Sequence, residues 1–187
     1  MSLRATIEVI TKLAEQGTLK QYAITGAVAA IYYIEPTLTE DLDILVSSDD
    51  FQRHKSGLIL LGRIEAALAK MGYAKRSDVG IWIGDWPVQF LPVASPLDEE
   101  ALARAREVEI PIEGDVPIRA RILTAEYLVA TALKVGRLKD FARVEAFLDQ
   151  EAVNLGVLKD IVQRFGLVSA WKTFCSTAGK TDPLSLG

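Results

Sequence analysis

Apolar and polar positions recur along this chain with a helical period in some segments and as short apolar runs in others. Residues Ala5–Glu15 have apolar side chains three to four positions apart, which predicts a helix. Gln21–Thr25 and Leu42–Val46 are short and largely apolar, as in strands buried on both faces of a sheet. From Thr124 to about Cys175 the pattern is helical. The chain therefore begins as a mixture of helices and strands and ends as helices.

Turn and cap residues divide the remaining segments. The hydrophobic pattern predicts helices over Ala27–Ile34 and Phe51–Lys70, the second introduced by the capping residues of Ser47–Asp50. Ser95 and Pro96 begin another helix. Two hairpins are expected, one around Gly84-Asp85 and one around Glu113-Gly114-Asp115, and the helical region is expected to break near Gly136, Gly156 and Gly166.

These elements predict an α/β (α+β) protein, with a mixed sheet flanked by helices. We expect an α/β core over residues 1–122 and a helical C-terminal part over residues 123–187, packed on the core. We expect no membrane span, because no apolar stretch approaches 20 residues, and hence a cytoplasmic location. An oligomer is compatible with the sequence.

Composition excludes several classes of chemistry. Among 187 residues there is one cysteine, Cys175, and one histidine, His54. An intramolecular disulfide and a Cys/His zinc site are therefore impossible. Catalysis by a Ser-His-Asp or Cys-His arrangement would have to use His54, a histidine near a helix start that is more typical of a surface position.

The charge of the chain is acidic and unevenly distributed. There are 21 basic and 25 acidic residues, and no basic stripe, so binding to a generic nucleic-acid backbone is not expected. The first fifty residues hold 3 basic and 8 acidic groups, among them Glu40, Asp41 and Asp43. This acidic cluster needs an explanation.

Asp41 and Asp43 are two positions apart at the start of a predicted strand, so their side chains point to the same face. Two adjacent carboxylates repel each other unless a cation lies between them, and oxygen ligands favour Mg²⁺ or Mn²⁺. The alternative is that both aspartates lie in a solvated loop before the strand.

A possible phosphate site precedes this pair. Thr25, Gly26 and Ala27 join a strand to a helix, where a glycine lets the backbone approach a phosphate and free N–H groups face it. The alternative is that the glycine serves only to form a tight turn and binds no phosphate. With the aspartates and a divalent ion, the phosphate site would hold a nucleoside triphosphate.

The combination of Thr25-Gly26-Ala27, a helix and Thr39-Glu40-Asp41-Leu42-Asp43 resembles the nucleotidyltransferase superfamily, which has a polymerase-β-like fold. The segments Glu126–Ala130 and Arg137–Asp140 resemble a second motif of small prokaryotic members associated with toxin-antitoxin pairs. The resemblance spans roughly residues 20–150.

This resemblance implies transfer of a nucleoside monophosphate from an NTP to an acceptor hydroxyl, with Mg²⁺ or Mn²⁺ as cofactor. It implies that Asp41 and Asp43 are catalytic and bind the metal, and that the third catalytic position is Gln89. The residues implied to bind the nucleotide are Thr25, Gly26, Ala27, Arg137, Lys139 and Asp140. The solvated face of a helix is the alternative role for the last three.

The sequence departs from the superfamily pattern at three positions. Gln89 stands where a third carboxylate is expected, and an amide cannot accept a proton near neutral pH. Asp85 is the nearest acid, but it lies in the turn. Ala132 replaces a lysine, with Lys134 on another side of the helix, and Ala27 replaces a second glycine or serine.

Two functional hypotheses follow, with a structural domain without ligand as a distant third. The intact pair of Asp41 and Asp43 favours a metal-dependent nucleotidyltransferase. Gln89 and Ala132 favour a weakly active or inactive regulator that binds a nucleotide or a protein, similar to a toxin-antitoxin component. The acceptor, whether a protein, a tRNA or a small molecule such as an antibiotic, is not specified by the sequence.

Overall fold

The fold was described from a computed structural model, which covers residues 2–36, 38–47, 52–53, 59–111 and 116–186. The described helices are α1 (Leu3–Glu15), α2 (Gly26–Ala30), α3 (Gly62–Lys70), α4 (Pro96–Arg104), α5 (Ala125–Val135), α6 (Leu138–Asp149), α7 (Leu155–Arg164) and α8 (Val168–Ala178). The described strands are β1 (Tyr22–Thr25), β2 (Leu42–Val46), β3 (Gln52–Arg53), β4 (Ile59–Leu60), β5 (Ile81–Ile83), β6 (Trp86–Pro92), β7 (Arg106–Ile110) and β8 (Ile118–Ile122).

Six of these strands form one mixed sheet in the order β5-β6-β2-β1-β8-β7, while β3 and β4 pair separately. Strand β2 lies in the interior of the sheet, antiparallel to β1 and parallel to β6. Its apolar residues Leu42, Ile44 and Val46 are fully buried, as expected for a strand covered on both faces. The predicted mixed α/β architecture is confirmed.

One continuous hydrophobic core joins the sheet to the helices. Helix α1 contributes Ile7, Ile10 and Leu13, and the C-terminal helices contribute Phe147 and Trp171. A buried hydrogen bond also joins α1 to the sheet edge, where Thr6 Oγ1 donates to the carbonyl of Ile83 at 3.0 Å. Satisfying a strand-end carbonyl in this way avoids an unpaired buried acceptor.

Several predicted boundaries agree with the structure. Helix α1 extends to Leu3, because the Ser2 hydroxyl accepts from the backbone N–H of Ala5 and caps its first turn. Ser95 caps α4 with Pro96 at the first helical position. The hairpin of β5 and β6 turns at Gly84, and helix α5 ends at Gly136, which has a left-handed conformation.

The prediction of one helix over 51–70 is wrong. Residues 52–53 and 59–60 are strands, and α3 begins only at Gly62. Apolar positions in a short segment can fit the period of a helix or that of a strand. Here the pairing of β3 with β4 selects the strand conformation. Position 51, the segment 54–58 with His54, the capping residues 48–50 and the turn at 113–115 lie outside the described residues.

Two other helix predictions need correction. The helix expected over 27–34 is the five-residue α2, after which the N–H of Tyr33 donates to the Ala30 carbonyl three residues back. Gly156 does not break the helical region but lies inside α7. Helix α7 begins after Asn154, whose side chain caps the first turn by accepting from the N–H of Val157 at 3.1 Å.

The division at residue 122 stays a prediction, although the strands end at Ile122 and the helices that follow begin at Ala125. Across the described ranges, no helix combines the length and the apolar character needed to cross a bilayer.

The approach of Gly80 to strand β6 gives a stability prediction. A Cβ at Gly80 would lie 2.0 Å from the carbonyl oxygen of Val88, a backbone atom that cannot rotate away. We expect Gly80→Ala to lower the free energy of unfolding by about 1–3 kcal/mol, the usual cost of overpacking. Gly156→Ala is the control, because its Cβ would meet only the Asn154 side chain at 3.3 Å. Equal stability of the two variants in urea unfolding would contradict this packing.

Candidate active site

The pairing register of three strands places predicted site residues in one row. Thr25 on β1 pairs with Asp43 on β2, and Asp43 pairs with Gln89 on β6. Directly paired residues project from the same face of a sheet. Neighbouring strands are about 4.8 Å apart, so the Asp43 carboxylate lies beside the Gln89 amide.

Gly26 lies against Asp43 so closely that no other residue fits without rearrangement. Its φ of +65° is in the left-handed region, and a Cβ there would lie 2.5 Å from Asp43 Oδ2. The carboxylate of Asp43 therefore rests over the first residue of α2. Because α2 has only five residues, the long helix expected to present its N-terminus to phosphate is absent from this described segment.

Asp41 lies just before β2, and a contact with Thr39 orients its carboxylate. The hydroxyl of Thr39 donates to Asp41 Oδ1 at 3.2 Å and lies equally far from the Asp41 carbonyl oxygen. This local contact explains the threonine two positions before the first aspartate. It leaves the other carboxylate oxygen, Oδ2, available to a ligand.

A cavity of about 480 Å³ brings most of the predicted residues together. We call it the phosphate cavity, after the nucleotide phosphates that the sequence predicts at this site. It is lined by Ala27, Leu38, Thr39, Glu40, Asp41, Asp43, Gln89, Arg137, Lys139, Ala142 and Arg143. Thr25, Gly26 and Asp140 do not line it. Thr25 is buried in its strand, and Gly26 lies beneath Asp43.

Asp140 is a buried support for the basic residues of the cavity. Its side chain is 3% exposed, and its carboxylate accepts from Arg137 Nε at 2.7 Å and lies 3.8 Å from Arg143 Nη1. It also accepts from the backbone N–H of Arg137 at 3.2 Å, which caps α6. The pairing raises the pKa of Arg137. Asp140 therefore fixes where two guanidinium groups enter the cavity.

The sequence left Arg143 open between a phosphate-facing role and a solvated helix face and did not place it among the nucleotide-binding residues, whereas in the structure it lines the phosphate cavity. It follows Asp140 by three residues, so helical periodicity makes it a neighbour of Asp140, which is in turn three residues from Arg137. Its Nε is buried and has no hydrogen-bond partner among the described atoms. A buried donor of this kind beside a cavity is open to an anionic ligand.

Burial and like charge act together on Asp43. Burial is the main cause that raises the pKa of the Asp43 carboxyl, and the charge of Asp41 raises it further. Arg143, Lys139 and Arg137 oppose this rise. The site therefore holds a carboxylate pair whose repulsion is only partly balanced by the protein itself.

The donor set fits a divalent ion that arrives with a phosphate ligand. Asp41, Asp43 and the Gln89 amide offer only oxygen donors at one face, but the described residues hold no group of three or more acidic, His or Cys side chains suited to a metal. Mg²⁺ is typically held by one or two carboxylates together with substrate phosphates and water. The residues present match that pattern.

A second cavity, of about 770 Å³, adjoins the phosphate cavity. The two share Thr39, Glu40 and Asp41 as lining residues. The second, which we call the tryptophan cavity, is further lined by Arg76, Ser77, Asp78, Val79, Trp82, Asp85, Trp86 and Pro87. Asp85 thus lines the tryptophan cavity and not the cavity with Gln89, so it does not replace the missing third carboxylate there.

The structure also locates the position where a lysine was expected. Ala132 is buried within α5. Lys134, two residues on, bonds to Asp98 at 3.0 Å and to the Ser95 hydroxyl at 2.8 Å. It therefore joins α5 to the start of α4 and does not line the phosphate cavity.

No protein-family profile matches this chain, and no curated protein matches its sequence. Its structure is similar to that of ANT(2'')-Ia in complex with adenylyl-2''-tobramycin, with a TM-score of 0.51 and 16% identity over 89% of this chain and 98% of that chain. The solution structure of the antibiotic-resistance factor ANT(2'')-Ia has a TM-score of 0.52 and 15% identity over 93% and 97% of the two chains.

An antigenic nucleotidyltransferase-like protein from Paracoccidioides brasiliensis is also similar, with a TM-score of 0.50 and 15% identity over 91% of this chain and 92% of that chain. At such low identity the likeness establishes the fold alone. The chain has a nucleotidyltransferase-like fold, which confirms the fold predicted from the Asp41/Asp43 motif. The resemblance to toxin-antitoxin members stays a prediction.

The raised pKa of Asp43 predicts a stability change. We expect Asp43→Asn to raise the melting temperature of the ligand-free protein at pH 7, because it removes a buried charge that the fold disfavours. The destabilisation by the Asp43 charge is fully present above the raised pKa of Asp43 in the folded protein. It disappears as the pH falls below the ordinary pKa of 3.8. The difference between variant and parent should therefore shrink on acidification.

The control is Asp78→Asn, which removes an exposed carboxylate. Thermal unfolding followed by circular dichroism resolves the effect, since about 1 kcal/mol shifts the melting temperature of a protein this size by about 2–4 °C. A lower melting temperature for Asp43→Asn than for Asp78→Asn at pH 7 would refute the assignment.

Proposed function

We propose that this protein is a divalent-metal-dependent nucleotidyltransferase that moves a nucleoside monophosphate from an NTP to an acceptor hydroxyl. The observation that carries the proposal is one cavity in which Asp41 and Asp43 face the basic residues of α6. Carboxylates for a metal and cations for a triphosphate are the two requirements of this chemistry, and both line the same space.

The triphosphate lies toward α6 in this proposal. Arg137, Lys139 and Arg143 all line the phosphate cavity from that helix. Arg137 and Arg143 offer planar donor groups suited to phosphate oxygens, and Asp140 holds them in place. Lys139 is exposed and contributes a mobile positive charge.

Asp41 and Asp43 would hold Mg²⁺ or Mn²⁺, with the carbonyl oxygen of Gln89 as a further neutral ligand. Such an ion, when bound, neutralises charge on the phosphate oxygens and makes the acceptor hydroxyl a better nucleophile. The chain itself positions the donor, excludes water from the buried side of Asp43, and supplies the fixed positive charges of α6.

The transfer conserves atoms and charge without a redox partner. The acceptor hydroxyl oxygen forms a bond to the α-phosphorus while the bond from that phosphorus to the bridging oxygen breaks. Pyrophosphate leaves with the electron pair. The hydroxyl proton passes to solvent, because Gln89 cannot accept it. We therefore expect a turnover slower than that of a site with three carboxylates.

A regulator that binds nucleotide without turnover is the second candidate. It is favoured by Gln89 in the row beside Asp43 and by Ala132, whose neighbour Lys134 is bonded to α4. A role in a toxin-antitoxin-like pair belongs to this hypothesis. The two candidates share nucleotide binding and differ in turnover, so both can be tested with one protein preparation.

We expect an NTP with Mg²⁺ to raise the melting temperature of the protein, and either ligand alone to do much less. At about 100 times the dissociation constant the stabilisation is about 2.7 kcal/mol, or about 5–10 °C. Asp41→Asn should lose most of this shift. Glu109→Gln removes the same charge from an exposed position on β7, at the opposite edge of the sheet, and should retain it.

All four NTPs are compared in this measurement. If none shifts the melting temperature in the presence of Mg²⁺ or Mn²⁺, both candidate functions are refuted. If one binds, incubation of that NTP, labelled at the α-phosphate, with cell extract distinguishes them. A labelled acceptor supports the enzyme. If no component of the extract becomes labelled and no pyrophosphate is released, the regulator is supported.

A separate prediction concerns Asp140. We expect Asp140→Asn to weaken Mg²⁺–NTP binding by about tenfold or more, which corresponds to about 1.4 kcal/mol, because Arg137 and Arg143 lose their anchor. Asp149→Asn, in the exposed last turn of the same helix, is the control. Thermal titrations of folded variants measure the affinities.

A double-mutant cycle tests whether Asp140 acts through the arginines. In an Arg137→Gln background, Asp140→Asn should cost less affinity than it does in the parent protein, because contacting residues are not additive. Full additivity of the two changes would contradict a positioning role for Asp140.

A further inference from the structure

The tryptophan cavity adjoins the phosphate cavity at Thr39, Glu40 and Asp41, but its lining is more acidic. Arg137, Lys139 and Arg143 line the phosphate cavity and balance its acids. The tryptophan cavity has four acids among its lining residues, Glu40, Asp41, Asp78 and Asp85, and one base, Arg76. The acid excess of the tryptophan cavity therefore disfavours polyanions there more than in the phosphate cavity, where acids and bases balance.

Arg76, the one base among the described residues that line the tryptophan cavity, already forms an ion pair. Arg76 Nη2 bonds to Glu65 Oε1 at 2.6 Å, and Glu65 does not line this cavity. The ion pair leaves little positive potential to offset Asp78 and the other acids. The local charge therefore favours a cation.

Two aromatic side chains give the cavity flat, partly exposed walls. Trp82 on β5 and Trp86 on β6 both line it, with Pro87 beside them. The Trp82 ring already attracts a cation, since Lys75 Nζ lies 5.2 Å from its centroid. Indole rings of this kind pack against the faces of sugar-like rings and attract positive groups attached to them.

The size of the tryptophan cavity is that of a small-molecule site. Its 770 Å³ lies within the range of about 300–1,000 Å³ typical of such sites. A tRNA acceptor would bring phosphates against Glu40, Asp78 and Asp85, which disfavours it. Among the acceptor classes left open by the sequence, this surface fits a small cationic molecule.

We propose that the tryptophan cavity is the acceptor subsite, and that it takes a small ring compound with several positive charges and free hydroxyls. The assignment as an acceptor site rests on the proposed function, whereas binding of the cation does not. Asp41, shared by both cavities, marks where an acceptor hydroxyl meets the α-phosphorus. The hydroxyl oxygen bonds to phosphorus, pyrophosphate leaves with the electron pair, and the proton goes to solvent.

Tryptophan fluorescence tests the subsite directly without nucleotide. Tobramycin serves as the polycationic, hydroxylated probe, sucrose as the neutral probe and bulk tRNA as the polyanionic probe. Trp82 and Trp86 line the cavity, while Trp171 is fully buried elsewhere and provides a constant signal. We expect tobramycin to change the emission saturably, with an affinity that falls as salt rises, and sucrose to have no effect.

Two variants with matched controls locate the binding. Asp78→Asn should weaken tobramycin binding by about fivefold, the effect of one unit charge about 4 Å away in water. Glu109→Gln, with the same loss of charge at the far sheet edge, should not. Trp86→Leu should remove most of the response if its melting temperature remains close to that of the parent. Trp82→Leu serves as the second variant if it does not.

The outcomes separate this proposal from the proposed function. Equal binding of sucrose and tobramycin, preferential binding of tRNA, or unchanged affinity in both Asp78→Asn and the tryptophan variants would overturn the subsite, even if Mg²⁺–NTP binds. Nucleotidylated tobramycin formed from Mg²⁺–NTP would support both. Cavity-dependent tobramycin binding without any NTP binding would support the cation preference and overturn the proposed function.

Discussion

The pairing of β2 between β1 and β6 is the constraint on which the candidate site depends. It places Thr25, Asp43 and Gln89 in one row, and the conformation of Gly26 lets the Asp43 carboxylate rest against the start of α2. The apolar side chains on β2 anchor this strand in the core. A shift of one residue would turn Asp43 to the other face, so core packing fixes the position of the acid.

The protein's own side chains balance the negative charge of Asp41 and Asp43 only in part. Burial and Asp41 raise the pKa of Asp43, while Asp140 holds Arg137 and Arg143, which line the same cavity. The same fold thus keeps a repelling acid pair and a clamped basic pair within one cavity. In the proposed function, a divalent ion would offset the repulsion of the acids and a nucleotide would pair with the bases, so the two ligands would bind together.

The sequence pattern was most reliable where a segment is long and periodic or is a short, largely apolar strand. Helix α1, strand β2 and the start of α4 follow their predictions closely. The segment 51–70 does not, because its short apolar runs fit a strand as well as a helix and pairing partners decide. Asp140 was grouped with the nucleotide-binding residues, and the structure places its carboxylate behind them.

By itself, the sequence determined the mixed α/β class, the position of Asp41 and Asp43 around the start of β2, and the three-residue spacing that joins Asp140 to Arg137 and to Arg143. These features depend on neighbours along the chain and on the fixed periods of helix and strand. Only the tertiary structure decided that α6 faces the aspartates, that Asp140 is buried and that a second, acidic cavity joins the first at Asp41. Contacts between distant segments arise from packing of the whole core, which no local pattern encodes.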